Sequence, residues 1–228
     1  YTKRLQRVYD AIAAAGIRPD VLTPMGSFEK YRILFTPFLM TLEEENLQER
    51  ITRWVENGGI WIAGPMTDIR NNIGAHYRDR ETGILETLTG ATLVHQIPDA
   101  EHRTTCAWAD GTPFSANKWL QLFDAPEDAQ VLATVTGGYS ALVGKALVFR
   151  KKVGKGEIWV LGTEPSSKDI QRLLNMVLAE TGSIQPKITG KVAAAYRSGP
   201  RFRGICAQEY GGEAGTLVVS RPHTDLLT

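Results

Sequence analysis

Leu5, Val8, Ile12 and Ala15 recur at the three- to four-residue spacing of one helix face, and Gly16 follows where a C-cap belongs. Ile17, Val21 and Leu22 then read as a short strand closed by Thr23 and Pro24. The run from Arg32 to Pro37 is apolar and bounded by turn residues, the pattern of a strand buried on both faces. Thr41 and Glu44 stand at capping-box spacing ahead of Leu47, Ile51, Trp54 and Val55, which make one apolar helix face ended by Gly58 and Gly59. Ile60 to Gly64 is a second buried strand. This order of helix, strand, strand, helix, strand predicts a doubly wound α/β fold, with a mostly parallel sheet, helices on its faces and right-handed crossovers.

Pro65 to Glu81 interrupts that alternation with a polar, turn-rich loop leaving the C-terminal end of a buried strand, the place where such sheets recruit ligands and partners. Arg70, Asn71, Asn72, His76, Tyr77, Arg78, Asp79, Arg80 and Glu81 crowd it. Arg70, His76, Tyr77 and Arg78 are the candidates to face a partner subunit or a sugar, because their side chains form directional hydrogen bonds and stacking contacts. Beyond the loop, Gly83 to Gly90 predicts a short helix and Ala91 to Ile97 a strand. From Thr104 to Phe149 the helical period disappears, and short strand-like runs alternate with Gly, Pro and Asp, as in an antiparallel insertion or a sheet edge. Gly154 to Gly156 predicts a hairpin turn into a last buried strand. A closing helix follows, capped by Ser166 or Ser167 and ending before Gly182. After Ile184 the pattern is β-rich, so the expected division is an α/β domain over 1–183 and part of a small β domain over 184–228.

Composition narrows the function. Across 228 residues, 26 Lys and Arg balance 25 Asp and Glu for a formal charge of +1, which carries no electrostatic footprint for nucleic acid or an anionic membrane. No apolar stretch approaches a membrane span, and the chain reads as soluble, with a cytoplasmic setting favoured and any targeting signal upstream of Tyr1 left open. Cys106 and Cys206 lack CxxC or His companions at metal spacing and are expected to be buried thiols, with no metal or cofactor implied.

Catalytic motifs fail on inspection. GGYSALVGKA places five residues between Gly138 and Gly144 where a phosphate loop needs four, and Ala146 stands where that loop carries Ser or Thr. The strand Ile60 to Gly64 runs into Pro65, Met66 and Thr67, without the Ser or Cys of a nucleophile elbow. Glu43, Glu44 and Glu45 are expected in the first turn of a helix, where its dipole favours negative charge. His95, His102 and His223 are isolated. Trp54 and Trp61 are expected in the core, and Trp108 and Trp119 either in an interface or in a local aromatic cluster.

Taken together, the segments YRILFTPFLMTLEEENLQERITRWVENGGIWIAGP, ETGILETLTGATL and GKGEIWVLGTEPSSKDIQRLLNMVLAETG resemble the trimerisation domain of family 42 β-galactosidases across about residues 1–182. The tail ending in HTDLLT is similar to the start of the small β domain that follows it. The resemblance implies a class I glutamine amidotransferase-like fold without its nucleophile, serving a homo-oligomer, most simply a trimer. It also implies that the acid/base and nucleophile glutamates lie in a preceding (β/α)8 barrel of the same polypeptide, so that no catalytic residue falls in this chain. In that family a strand precedes the first helix, whereas this sequence begins within the helix. A stand-alone carbohydrate- or ligand-binding module on the same scaffold is the alternative reading.

Overall fold

The computed structural model describes residues 2–15, 17, 19–99, 103–181, 187–190, 192–209, 212 and 214–219. Gly16, Gly182, His102, His223 and the HTDLLT tail lie outside them, as do the cap roles read for the two glycines. The chain divides into two compact units, Tyr1–Val21 with Ser167–Thr228, and Leu22–Ser166.

The first unit opens with α1 (Thr2–Ala14), which buries Val8 and Ala11. Among the described residues of this stretch no strand follows it: Ile17 and residues 19–23 are irregular, and Val21 is 82% exposed. The expected strand at Ile17 to Leu22 fails because an apolar triplet needs a ladder partner to satisfy its backbone, and none pairs with it among the described residues.

The second unit is built on a ten-stranded sheet. A βαβ crossover begins it, from β1 (Ile33–Thr36) through α2 (Leu47–Glu56) to β2 (Ile60–Ala63), with Ile33 opposite Ile60 and Thr36 opposite Ala63 in parallel register. Helix α2 buries Leu47, Ile51, Trp54 and Val55, the face read from the sequence. It starts later than the capping-box spacing suggests. Glu45 and Asn46 take positive φ, and Thr41 accepts the Glu43 N–H instead of capping, so Glu43 to Glu45 precede the first turn. Its end is a Schellman motif: Gly58 N–H donates to Val55 O at 2.9 Å and Gly59 N–H to Trp54 O at 3.0 Å, with Gly58 at φ +114°.

The chain then passes through α3 (Ile84–Thr89), β3 (Thr92–Asp99), β4 (Thr105–Trp108), β5 (Pro113–Phe114), β6 (Ala116–Asp124), β7 (Gln130–Gly137), β8 (Ala146–Val153), β9 (Gly156–Leu161) and β10 (Thr163–Pro165). The main path runs β1-β2-β9-β8-β7-β4-β5, and β6 joins β3, β10 and β8. Among the described residues only β1 with β2 and β2 with β9 pair in parallel; every other described ladder of this sheet is antiparallel. The sheet is therefore mixed and curled, not mostly parallel as the opening alternation implied. Parallel pairing needs a long crossover, and after β2 tight connections such as Gly154-Lys155 between β8 and β9 permit only antiparallel neighbours.

Trp61, Phe149 and Ile158 are fully buried in the core between sheet and helices, together with Leu42, Ile51 and Val55. Trp54 and Trp61 are core residues as expected. Trp108 is buried against Phe114, ring centroids 5.0 Å apart, which places it in a local aromatic cluster. Arg50 on α2 fastens the segment before β1: its Nη2 donates to Gly26 O at 2.8 Å, its Nε to Glu29 Oε1 at 2.8 Å, and its guanidinium lies 4.6 Å from the Phe28 ring centroid. The Arg50 hydrogen bond holds the Glu29 carboxyl well below its usual range, down to about 2.

In the first unit, α4 (Ser167–Thr181) packs with α1 and begins one residue after Ser166. Two antiparallel ribbons follow: β11 (Lys187–Thr189) with β14 (Thr216–Val218), and β12 (Val192–Gly199) with β13 (Phe202–Glu209). Cys106 is buried, its thiol pushed up to about 12 by burial and then by Asp99. Cys206 is exposed, contrary to expectation, because a two-stranded ribbon cannot enclose both of its faces.

Candidate partner-binding loop

The loop after β2 is fixed at its root. Met66 and Asp68 both take positive φ, +59° and +61°, so the backbone turns sharply where the strand ends. Thr67 Oγ1 donates to Thr36 O, and Trp61 Nε1 donates to Thr36 Oγ1 at 2.9 Å, tying the turn to the end of β1. Phe38 N–H donates to Pro65 O, Asp68 N–H to Leu39 O and Arg70 N–H to Met40 O, at 2.9 to 3.0 Å, so the segments after β1 and β2 run side by side.

Asp68 is the centre of the root and is 0% exposed. Its Oδ2 accepts the Leu85 N–H at 2.9 Å, capping α3 from across the loop, and its Oδ1 accepts the Tyr77 hydroxyl at 3.2 Å. Burial pushes the carboxyl up to about 6, against the opposing pull of those two donors and with a further push from Glu43. Burial first, and the Asp68 charge second, also raise the Tyr77 hydroxyl. Gly83 makes the arrangement possible: a Cβ there would overlap Asp68 Oδ1 and stand 2.7 Å from Tyr77 Oη.

The structure separates the four candidates. Tyr77 is half-buried and points inward to Asp68, with Arg80 stacked 5.4 Å from its ring centroid. Arg70 is half-buried, while His76 and Arg78 are exposed. Asp68 was missed by sequence reasoning because its partners lie nine and seventeen residues away. Ile73, an apolar residue in this polar loop, is exposed. The remaining donors close a tight turn: Asn71 Oδ1 accepts Ile73 N–H at 3.2 Å and Ala75 N–H at 2.9 Å, and Asn72 N–H donates to Glu43 Oε2 at 2.9 Å. Among the described residues no cluster of His, Cys, Asp and Glu is arranged to hold a metal ion, and no helix is long and apolar enough to cross a membrane.

A mixed sheet flanked by helices, with a strand-end turn locked by hydrogen bonds, defines the class as an α/β domain. The chain belongs to the β-galactosidase trimerisation domain family, whose sequence model matches residues 1–184. It is similar to the β-galactosidase YesZ of Bacillus subtilis, 30% identical over 225 residues that cover 96% of this chain and 33% of that protein. The YesZ β-galactosidase of Bacillus licheniformis is 27% identical over 233 residues, covering 100% of this chain and 34% of that protein. The chain thus spans about a third of the length of these relatives. In fold it resembles the β-galactosidase of Rahnella sp. R3, with a TM-score of 0.82 at 21% identity over 93% of this chain and 32% of that one. It likewise resembles that of Bacillus circulans sp. alkalophilus, with a TM-score of 0.78 at 20% identity over 88% and 30%.

Proposed function

We propose that this chain is the non-catalytic assembly domain of a β-galactosidase that hydrolyses terminal β-D-galactosides, and that it holds three copies of the enzyme together. The observation that carries this reading is the family match over residues 1–184 in a chain that spans a third of its enzyme relatives. The catalytic carboxylates would lie in a preceding (β/α)8 barrel of the same polypeptide. Glu43 is occupied in accepting the Asn72 N–H, a structural task. The scaffold is of class I glutamine amidotransferase-like type, and the functional boundary falls between 183 and 184, with 184–228 beginning a small β domain.

The loop bearing Arg70, His76, Tyr77 and Arg78 faces the neighbouring subunit. Arg70, His76 and Arg78 supply the outward contacts, and Tyr77 holds the loop to Asp68. Light scattering on the full-length polypeptide tests the assembly role, with three times the chain mass expected and a monomer overturning it. Arg70→Ala with Arg78→Ala is expected to weaken that oligomer by at least about tenfold in dissociation constant, since interface arginines each contribute on the order of 1 to 2 kcal/mol. An unchanged mass at every dilution would remove the loop from the interface. The 228-residue chain by itself is expected to show no turnover of nitrophenyl β-galactoside; turnover abolished by mutating one of its own residues would refute the non-catalytic assignment.

A further inference from the structure

Ile73 is 82% exposed, yet it stands on a turn whose backbone donors are all satisfied. Every backbone N–H from Arg70 to Ala75 has a partner: Arg70 on Met40 O, Asn71 on Ala75 O, Asn72 on Glu43 Oε2, Ile73 and Ala75 on Asn71 Oδ1, and Gly74 on Asn71 O. Gly74, at φ +79°, closes the turn in a conformation that side chains rarely adopt. The β-branched side chain of Ile73 is therefore held out on a rigid tip with few rotamers left to lose. A fixed apolar group that is 82% exposed contributes little to the fold of its own subunit, whereas burying it against another surface costs little ordering entropy. Met40, on the adjoining segment bonded to Arg70, is exposed as well.

We propose that Ile73 is the apolar anchor of the assembly contact, inserting into a recess on a second copy of this chain, with Arg70, His76 and Arg78 as the polar rim around it. The proposal rests on the assembly reading of the loop and adds the residue that carries its affinity. The occupant is a second copy because the family to which the chain belongs is a trimerisation domain. In a threefold ring the contact is heterologous, so a knob on one copy meets a different patch on the next. Each copy then gives one Ile73 and receives one.

The test uses the full-length polypeptide, with sedimentation velocity across a dilution series for wild type, Ile73→Asp and Ile73→Leu. Ile73→Asp is expected to raise the concentration of half-dissociation at least about tenfold, with the melting temperature of the dissociated subunit unchanged, and Ile73→Leu is expected to behave as wild type. Hydrogen exchange over residues 70–78, compared between assembled and diluted wild type, separates the two levels of failure. Protection on assembly with an intact Ile73→Asp oligomer would overturn the anchor and leave the loop reading standing. An intact oligomer without such protection, or a wild type monomeric at every concentration, would overturn both.

Discussion

Asp68→Asn is expected to flatten the pH dependence of stability between about pH 4 and 6 and to raise the melting temperature at neutral pH. The folded protein holds the Asp68 proton up to about pH 6, whereas the unfolded chain releases it near 3.8. Folding therefore takes up a proton inside that window, and stability falls as pH rises through it. The difference corresponds to roughly 3 kcal/mol, fully felt above pH 6 and absent below the unfolded value. Glu29 acts in a separate window and with the opposite sign: its lowered pKa adds stability above its ordinary 4.5 that is lost as pH falls toward 2.

Asparagine suits position 68 on two counts. It tolerates the positive φ, and it can accept the Leu85 N–H through Oδ1 while its amide donates to the Tyr77 oxygen. Asp68→Ala, by contrast, strands the Leu85 N–H and the Tyr77 hydroxyl in a buried site and is expected to melt lower than the Asn variant by about 2 to 4 kcal/mol equivalent. Thermal denaturation of the three proteins from pH 3.5 to 8 checks this. A wild-type pH profile in the Asn variant, or equal melting of the Asn and Ala variants, would refute Asp68 as the titrating lock of the loop.

Gly156→Ala is expected to be among the most damaging single substitutions in the chain. Gly156 opens β9 against the end of α2, where an added Cβ would overlap the carbonyl oxygens of Gly59 and Val55 and lie 3.1 Å from the Gly58 carbonyl carbon. These are backbone atoms held by the Schellman motif and the β2–β9 ladder, so neither side can yield without breaking hydrogen bonds. The expected loss is roughly 3 kcal/mol or more, at the upper end of overpacking effects, or about 6 to 12 °C in melting temperature for a protein of this size. Gly204→Ala is the control: beyond its chain neighbours, no heavy atom lies within 4 Å of its added Cβ. A Gly156→Ala protein that melts with the Gly204→Ala protein would show that α2 and β9 can part at small cost.

Local pattern was enough to locate most elements because each contains its own reason to form. Leu47, Ile51, Trp54 and Val55 define α2 by spacing alone, Gly58 and Gly59 end it, and Gly154 turns β8 into β9. The strand runs between Thr104 and Phe149 were likewise legible as antiparallel, and the segments flanking them were sufficient to point to the family. What depends on pairing was not legible. Ile17, Val21 and Leu22 have strand composition but no ladder among the described residues, and Thr41 and Glu44 have capping-box spacing but yield to positive φ at Glu45 and Asn46.

The candidate loop divides in the same way. Its place after a buried strand and its polar content are sequence properties, and so is the family. The roles inside it come from folding: Tyr77 turns inward because Asp68 is buried beneath it, Gly83 is required because both approach it, and Ile73 faces water because Asn71 and Gly74 close the turn below it. A sequence records which groups a loop contains. Which of them are consumed by the fold and which remain for a partner is decided only when distant backbone donors and side chains compete for the same buried acceptor.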